Sequence, residues 1–236
     1  MSQFIRALSG LAFGLATAAS ALAAPITPSF TRFGELSGAT FGGSGIPNNR
    51  VAIYEDSDPD NLTLGLTATP RFVGSVGDNG AGVFAAQAGV STFGPSPADP
   101  HAVWNFNFYI AGSTMQNLTF ILLYDFDPAA ATEAAAHGSV VLPGDLIPDP
   151  AQDSWNLGMN FLAAAVPGLT PPAFAAFNPN AAGEYSFALV ALSAFGDEVG
   201  RVAIQVNVSN AVPEPGALAL AGLALLGVAA SRRRRT

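Results

Sequence analysis

The residues with most capacity for chemistry are carboxylates. Asp56, Asp58 and Asp60 alternate along one short stretch, with Asn61 next. Hard oxygen ligands at such offsets converge on one calcium ion when a loop curls. The stretch departs from a complete calcium loop in three ways. Pro59 falls inside it, Asn61 stands where the sharp-turn glycine belongs, and Thr67 replaces the closing glutamate. The competing reading is a solvated acidic turn, which the Asp-Pro step favours. Calcium is the only cofactor for which the residues present a ligand pattern. A weaker candidate is the pair Asp125 and Asp127 around Phe126, where the two acids also serve to end a strand.

Other chemistries have fewer parts. A zinc site takes three or four His, Cys or carboxylate ligands, and this chain has two histidines and no cysteine. His101 and His137 are far apart and read as exposed loop residues. Gly42-Gly43-Ser44-Gly45-Ile46 lacks the last glycine of a nucleophile elbow. Gly43-Ser44-Gly45 is too short for a dinucleotide fingerprint, and a chain without lysine has no phosphate-loop lysine. No catalytic residue is assigned, and the body reads as non-enzymatic. Aromatic platforms for sugar rings are the remaining option. Among Trp104, Tyr109 and Tyr124, the alternation puts Trp104 with Phe106 and Phe108 on a core face and leaves Tyr109 on the opposite one.

The elements that must position these residues are short strands. Trp104 to Ile110 alternates aromatic and polar residues, and Leu118 to Tyr124 is nearly all apolar, as expected of a strand inside a sheet. Glu184 to Leu192 and Gly200 to Val208 alternate around a turn at Phe195 to Glu198, which predicts a closing hairpin. Arg71–Val76 and Val83–Gln87 flank Gly77-Asp78-Asn79-Gly80, an Asn-Gly hairpin signal. Ala129 to Ala136 has helix propensity for a turn or two. Many short strands with Gly and Pro turns predict an all-β fold, an antiparallel β-sandwich. It is flanked by an N-terminal signal peptide and a C-terminal hydrophobic helix.

Residues 1–23 have the parts of that signal peptide. Arg6 supplies the positive start, Leu8 to Ala19 the short apolar region, and Ala21-Leu22-Ala23 the small residues that signal peptidase needs, giving a mature start at Ala24. The body, 24–211, keeps four arginines against sixteen acidic residues, a net charge near −12. Such a body repels nucleic acid. With no cysteine, it folds by burial alone.

The tail, 212–236, reads VPEPGALALAGLALLGVAASRRRRT. Val212, Pro213, Glu214 and Pro215 form a motif kept extended by its prolines. Ala217 to Ala230 is an apolar span, short for a permanent anchor. Arg232, Arg233, Arg234 and Arg235 stay charged at any ordinary pH and hold the terminus on the cytoplasmic side. This order of motif, span and basic stop resembles the PEP-CTERM sorting signal of exported Gram-negative proteins. The resemblance implies export through the secretion machinery, transient anchoring in the inner membrane, and processing by an exosortase-type membrane enzyme. It also implies a final place on the cell surface or in the extracellular matrix, with exopolysaccharide as a partner. The alternative is a carbohydrate-binding module delivered by the same route.

Overall fold

The computed structural model describes residues 24–56, 61–72, 74–92 and 100–210. Among the described residues there are twelve strands: β1 (Arg32–Gly34), β2 (Val51–Glu55), β3 (Thr63–Pro70), β4 (Gly77–Asp78), β5 (Val83–Gln87), β6 (Trp104–Ala111), β7 (Thr119–Tyr124), β8 (Gly138–Pro143), β9 (Ala151–Trp155), β10 (Leu169–Thr170), β11 (Gly183–Leu192) and β12 (Glu198–Ser209). They form a five-stranded sheet in the order β1-β2-β3-β6-β9 and a seven-stranded sheet in the order β10-β8-β7-β11-β12-β5-β4.

The alternation in β6 decides how the sheets meet. Trp104, Phe106, Phe108 and Ile110 point inward and are buried. From the other sheet come Phe120, Leu122 and Tyr124 of β7, Tyr185, Phe187 and Leu189 of β11, and Val202, Ile204 and Val206 of β12. Phe106 stacks on Phe187 with ring centroids 4.6 Å apart, and Trp104 meets Tyr185 at 5.9 Å. Ring contacts of this kind add to the area term of burial.

Each sheet also has its outer face partly covered. Over the five-stranded sheet, Leu36, Ala39 and Phe41 from the segment before β2 pack on Val51, Ile53 and Tyr109. Two backbone N–H groups of this cover, at Thr40 and Phe41, donate to Gln152 Oε1 at 2.8 and 2.6 Å. Gly65 lets the cover approach closely, since a Cβ there would lie 2.8 Å from Leu36. Over the seven-stranded sheet, Ile26 and Ala134 pack on Ala188, Val190 and Ala203. Ser29 and Ala203 exchange backbone hydrogen bonds, and Pro25 bridges Glu133.

Several expectations are corrected here. The seven-stranded sheet is mixed, because β5 pairs with β12 in parallel while the other pairs are antiparallel. A parallel pair needs a crossover, and here the whole of β6 to β11 lies between the partners. The Arg71–Val76 half of the predicted hairpin forms no strand among the described residues, and β5 pairs instead with β4, which lies inside the predicted turn. Ala129–Ala136 yields a single 3-10 turn at Ala134–Ala136, too short to nucleate a helix and tied instead to the N-terminal segment by the Ala134 N–H to Ala24 O bond of 3.1 Å. His101 and His137 are both buried. Tyr109 is buried beneath the cover, and Tyr124 is buried with its hydroxyl donating to Leu162 O at 2.6 Å, so neither offers a platform to a sugar. The signal peptide with Ala21 and Ala23, and the tail with its span, lie outside the described residues. Among the described residues, no helix is long and apolar enough to cross a membrane.

Candidate functional site

The acidic loop joins β2 to β3. Asp56 N–H donates to Leu62 O at 3.0 Å, closing the loop at its neck. Asp58 and Asp60 lie outside the described residues. Among the described residues, no three His or carboxylate groups gather as a metal site. Asp125 and Asp127 are used locally. The Asp127 N–H donates to Asp125 Oδ1 at 2.8 Å, and the Ala129 N–H to Asp127 Oδ1 at 2.9 Å.

The fold instead brings Asp125 to His137 and Ser186, residues distant in sequence. His137 Nε2 lies 2.8 Å from Ser186 Oγ and 3.7 Å from Asp125 Oδ2. Nδ1 lies 3.0 Å from the Glu133 carbonyl. A carbonyl only accepts, so Nδ1 carries the hydrogen. This is not the geometry of a nucleophilic triad, in which serine and aspartate sit on opposite ring nitrogens. Here both sit on Nε2, and all three residues are buried. Burial pushes the Asp125 carboxyl above its usual range, offset in part by the Asp127 N–H and His137, and its Oδ2 has no hydrogen-bond partner. The cluster fastens the cover to β11.

A different arrangement opens at the end of β3. Four arginines are described. Arg32 pairs with Glu55, Arg50 with Asp78 and Arg201 with Glu198. Arg71 has no ion pair among the described residues. Its Nε is buried without a hydrogen-bond acceptor, which costs about 1–3 kcal/mol, and burial lowers its pKa. The guanidinium lies over the Phe72 ring at 5.2 Å. Phe72 is 72 % exposed and has φ +65°, a conformation that strains a bulky side chain.

Arg71 and Phe72 line a cleft of about 450 Å³ together with Ser44 to Pro47, and Thr69, Asn105 and Ser154 add polar groups to its lining. The floor is held in place from below. Buried Asn156 donates to Asn105 Oδ1 at 2.7 Å, and Asn105 Nδ2 donates to Ser154 Oγ at 2.9 Å. Among the described residues, no acceptor takes the second Asn105 amide hydrogen or the Ser154 hydroxyl hydrogen. A second cleft, of about 430 Å³ beside Pro25 and Ile26, has an arginine too, but that Arg201 is committed to Glu198.

Sequence reasoning singled out neither Arg71 nor the Asn105–Ser154 floor. The only signal was arithmetic, four arginines among sixteen acids, in which one lacking a partner is unexpected.

Comparison with known families concerns the tail. Residues 211–235 match the family model of the PEP-CTERM protein-sorting motif. The chain ends in a PEP-CTERM signal. That signal marks an exported protein recognised by an exosortase and is consistent with a place at the cell surface. In the PEP-CTERM signal of this chain the motif follows β12 almost at once, since Asn210, Ala211 and Val212 alone separate Ser209 from Pro213. No curated protein and no solved structure matches the chain.

Proposed function

We propose that this is a non-enzymatic exported protein of a Gram-negative bacterium, released to the cell surface or extracellular matrix after an exosortase-type enzyme acts on Val212–Pro215. In that matrix it associates with exopolysaccharide. The observation that carries the reading is the PEP-CTERM match at 211–235, which includes a basic stop at Arg232–Arg235. Signal peptidase is the second processing partner, acting between Ala23 and Ala24. Positive charge at both ends, Arg6 and Arg232–Arg235, leaves the acidic body as the translocated part. Mass spectrometry of the protein recovered from its own cells tests both cuts. The expected product begins at Ala24 and ends near Pro215. An extracellular product that keeps Arg232–Arg235 would refute the sorting reading.

A second reading, a carbohydrate-binding module on the same route, is favoured by the cleft at Arg71. It has an exposed aromatic ring beside pre-positioned amide and hydroxyl groups. Ligand sites combine an apolar wall with a few fixed polar groups in this way. Saturable binding of the native protein on a glycan array supports this reading, and binding to no sugar removes it. Calcium at Asp56, Asp58 and Asp60 is a separate proposal. An unchanged unfolding midpoint at millimolar calcium would dismiss it.

A further inference from the structure

We propose that the cleft between Arg71–Phe72 and Ser44–Pro47 binds a carboxylate-bearing sugar ring, of the uronic acid type. The inference rests on the carbohydrate-binding reading and adds the charge of the ligand and the residue that reads it.

Three observations select this ligand. The first is charge. Arg32, Arg50 and Arg201 are neutralised by acids, while Arg71 has no ion pair among the described residues. A guanidinium presents a planar fork that matches the two oxygens of a carboxylate. The second is the inventory of donors. The Asn105 amide and the Ser154 hydroxyl have hydrogens to give and are oriented by Asn156, as hydroxyl oxygens of a sugar require. The third is shape. Phe72 offers an exposed ring to the C–H face of a pyranose, and the cleft of about 450 Å³ has the size of small-ligand sites.

The same features weigh against other anions. One arginine in a body near −12 leaves a phosphate dianion under-compensated, whereas one carboxylate matches one guanidinium. A polyanion is also repelled at long range by the body, so recognition falls on single rings, and added salt acts on two opposed contributions, the local pair and the general repulsion.

The test is calorimetric titration of the native protein with glucuronate, glucose and acetate. Glucuronate is expected to bind saturably and at least about tenfold more tightly than glucose, the usual worth of a hydrogen bond to a charged group. Arg71→Ala removes that preference, and Arg71→Lys keeps part of it because the charge stays and the fork is lost. Phe72→Ala weakens glucuronate and glucose alike. Thermal unfolding of each variant checks that it is folded, and Phe72→Ala, on an exposed side chain, gives an independent handle. Equal affinity for glucuronate and glucose, or wild-type behaviour of Arg71→Ala, overturns the inference and leaves the carbohydrate reading standing. Acetate binding as tightly as glucuronate overturns the sugar-ring part. Failure to bind glucuronate overturns the inference whatever glucose does, and the carbohydrate reading falls only if the glycan array also shows no bound sugar.

Discussion

The two outer faces of the sandwich are covered by the same device and put to different ends. Each cover is an irregular segment that lays a few apolar side chains on a sheet and is fastened by several hydrogen bonds, among them those of one polar side chain at the seam. On the seven-stranded sheet that side chain is His137, and the cover closes over it completely. On the five-stranded sheet it is Gln152, and the cover stops short of the end of β3, where Arg71, Phe72 and Asn105 border a cleft. Sealing turns polar groups into structure. Leaving a gap keeps donors available, at a cost seen in the buried Arg71 Nε and the positive φ of Phe72.

The contrast is breakable, most forcefully at its sealed side. His137→Ala takes from buried Ser186 its imidazole partner and opens a cavity beside Asp125, while the Glu133 carbonyl keeps its bond from the Ala136 N–H. It is expected to destabilise the protein by about 3 kcal/mol. Denaturant unfolding measures this, and a loss under about 0.5 kcal/mol, as for a surface site, would mean the face is not sealed. Gln152→Ala orphans two backbone donors at a partly solvated edge. It is expected to cost about 1–2 kcal/mol and to speed hydrogen exchange at Thr40 and Phe41 without affecting the seven-stranded sheet.

Asp125→Asn probes the sealed side through pH. Burial raises the folded-state pKa of Asp125, so the native state holds its proton more tightly than the unfolded state. Stability linked to this group is full below about pH 4, the unfolded carboxyl value, and is lost as pH rises through the folded value. The variant should show a flatter stability profile over that window and gain on the wild type toward neutral pH. Identical slopes would contradict the assignment. The smallest effect is expected at the open side. Phe72→Gly relieves a left-handed backbone and exposes little, so stability should rise by about 0.5 kcal/mol or stay level. A clear loss of stability would show that the ring is structural.

What could be read from the chain was what is local. The alternation of Trp104 to Ile110 placed β6, and the paired alternation around Phe195–Glu198 placed β11 and β12, because a period of two and a short turn are properties of neighbouring residues. The tail was legible for the same reason. The parallel β5–β12 pair was not, since hydrogen bonding across so long a crossover leaves no mark in either strand. The burial of Tyr109 depended on Leu36 and Phe41, which come to it from a segment distant along the chain. His137 looked exposed because its neighbours are Ala and Gly, and its partners Asp125 and Ser186 meet it only through the pairing of β7, β8 and β11. The cleft was hidden most deeply. Arg71 is distinguished by lacking an ion pair, a property defined by its surroundings in space.

The position of β12 has a mechanical consequence. It is an interior strand of twelve residues, bonded to β11 along nearly its whole length and to β5 over its last five residues. A pull on the chain at Ser209 acts along the strand axis. The ladders on both sides then share the load in shear, and no end pair opens first as it would in a zipper. Only three residues lie between that strand and Pro213, at most about 3.3–3.6 Å apiece, so slack is small and tension at the tail reaches the sheet almost directly. A protein held at its C-terminus while its body is dragged by flow or by a moving polymer would thus be held by its most firmly seated strand.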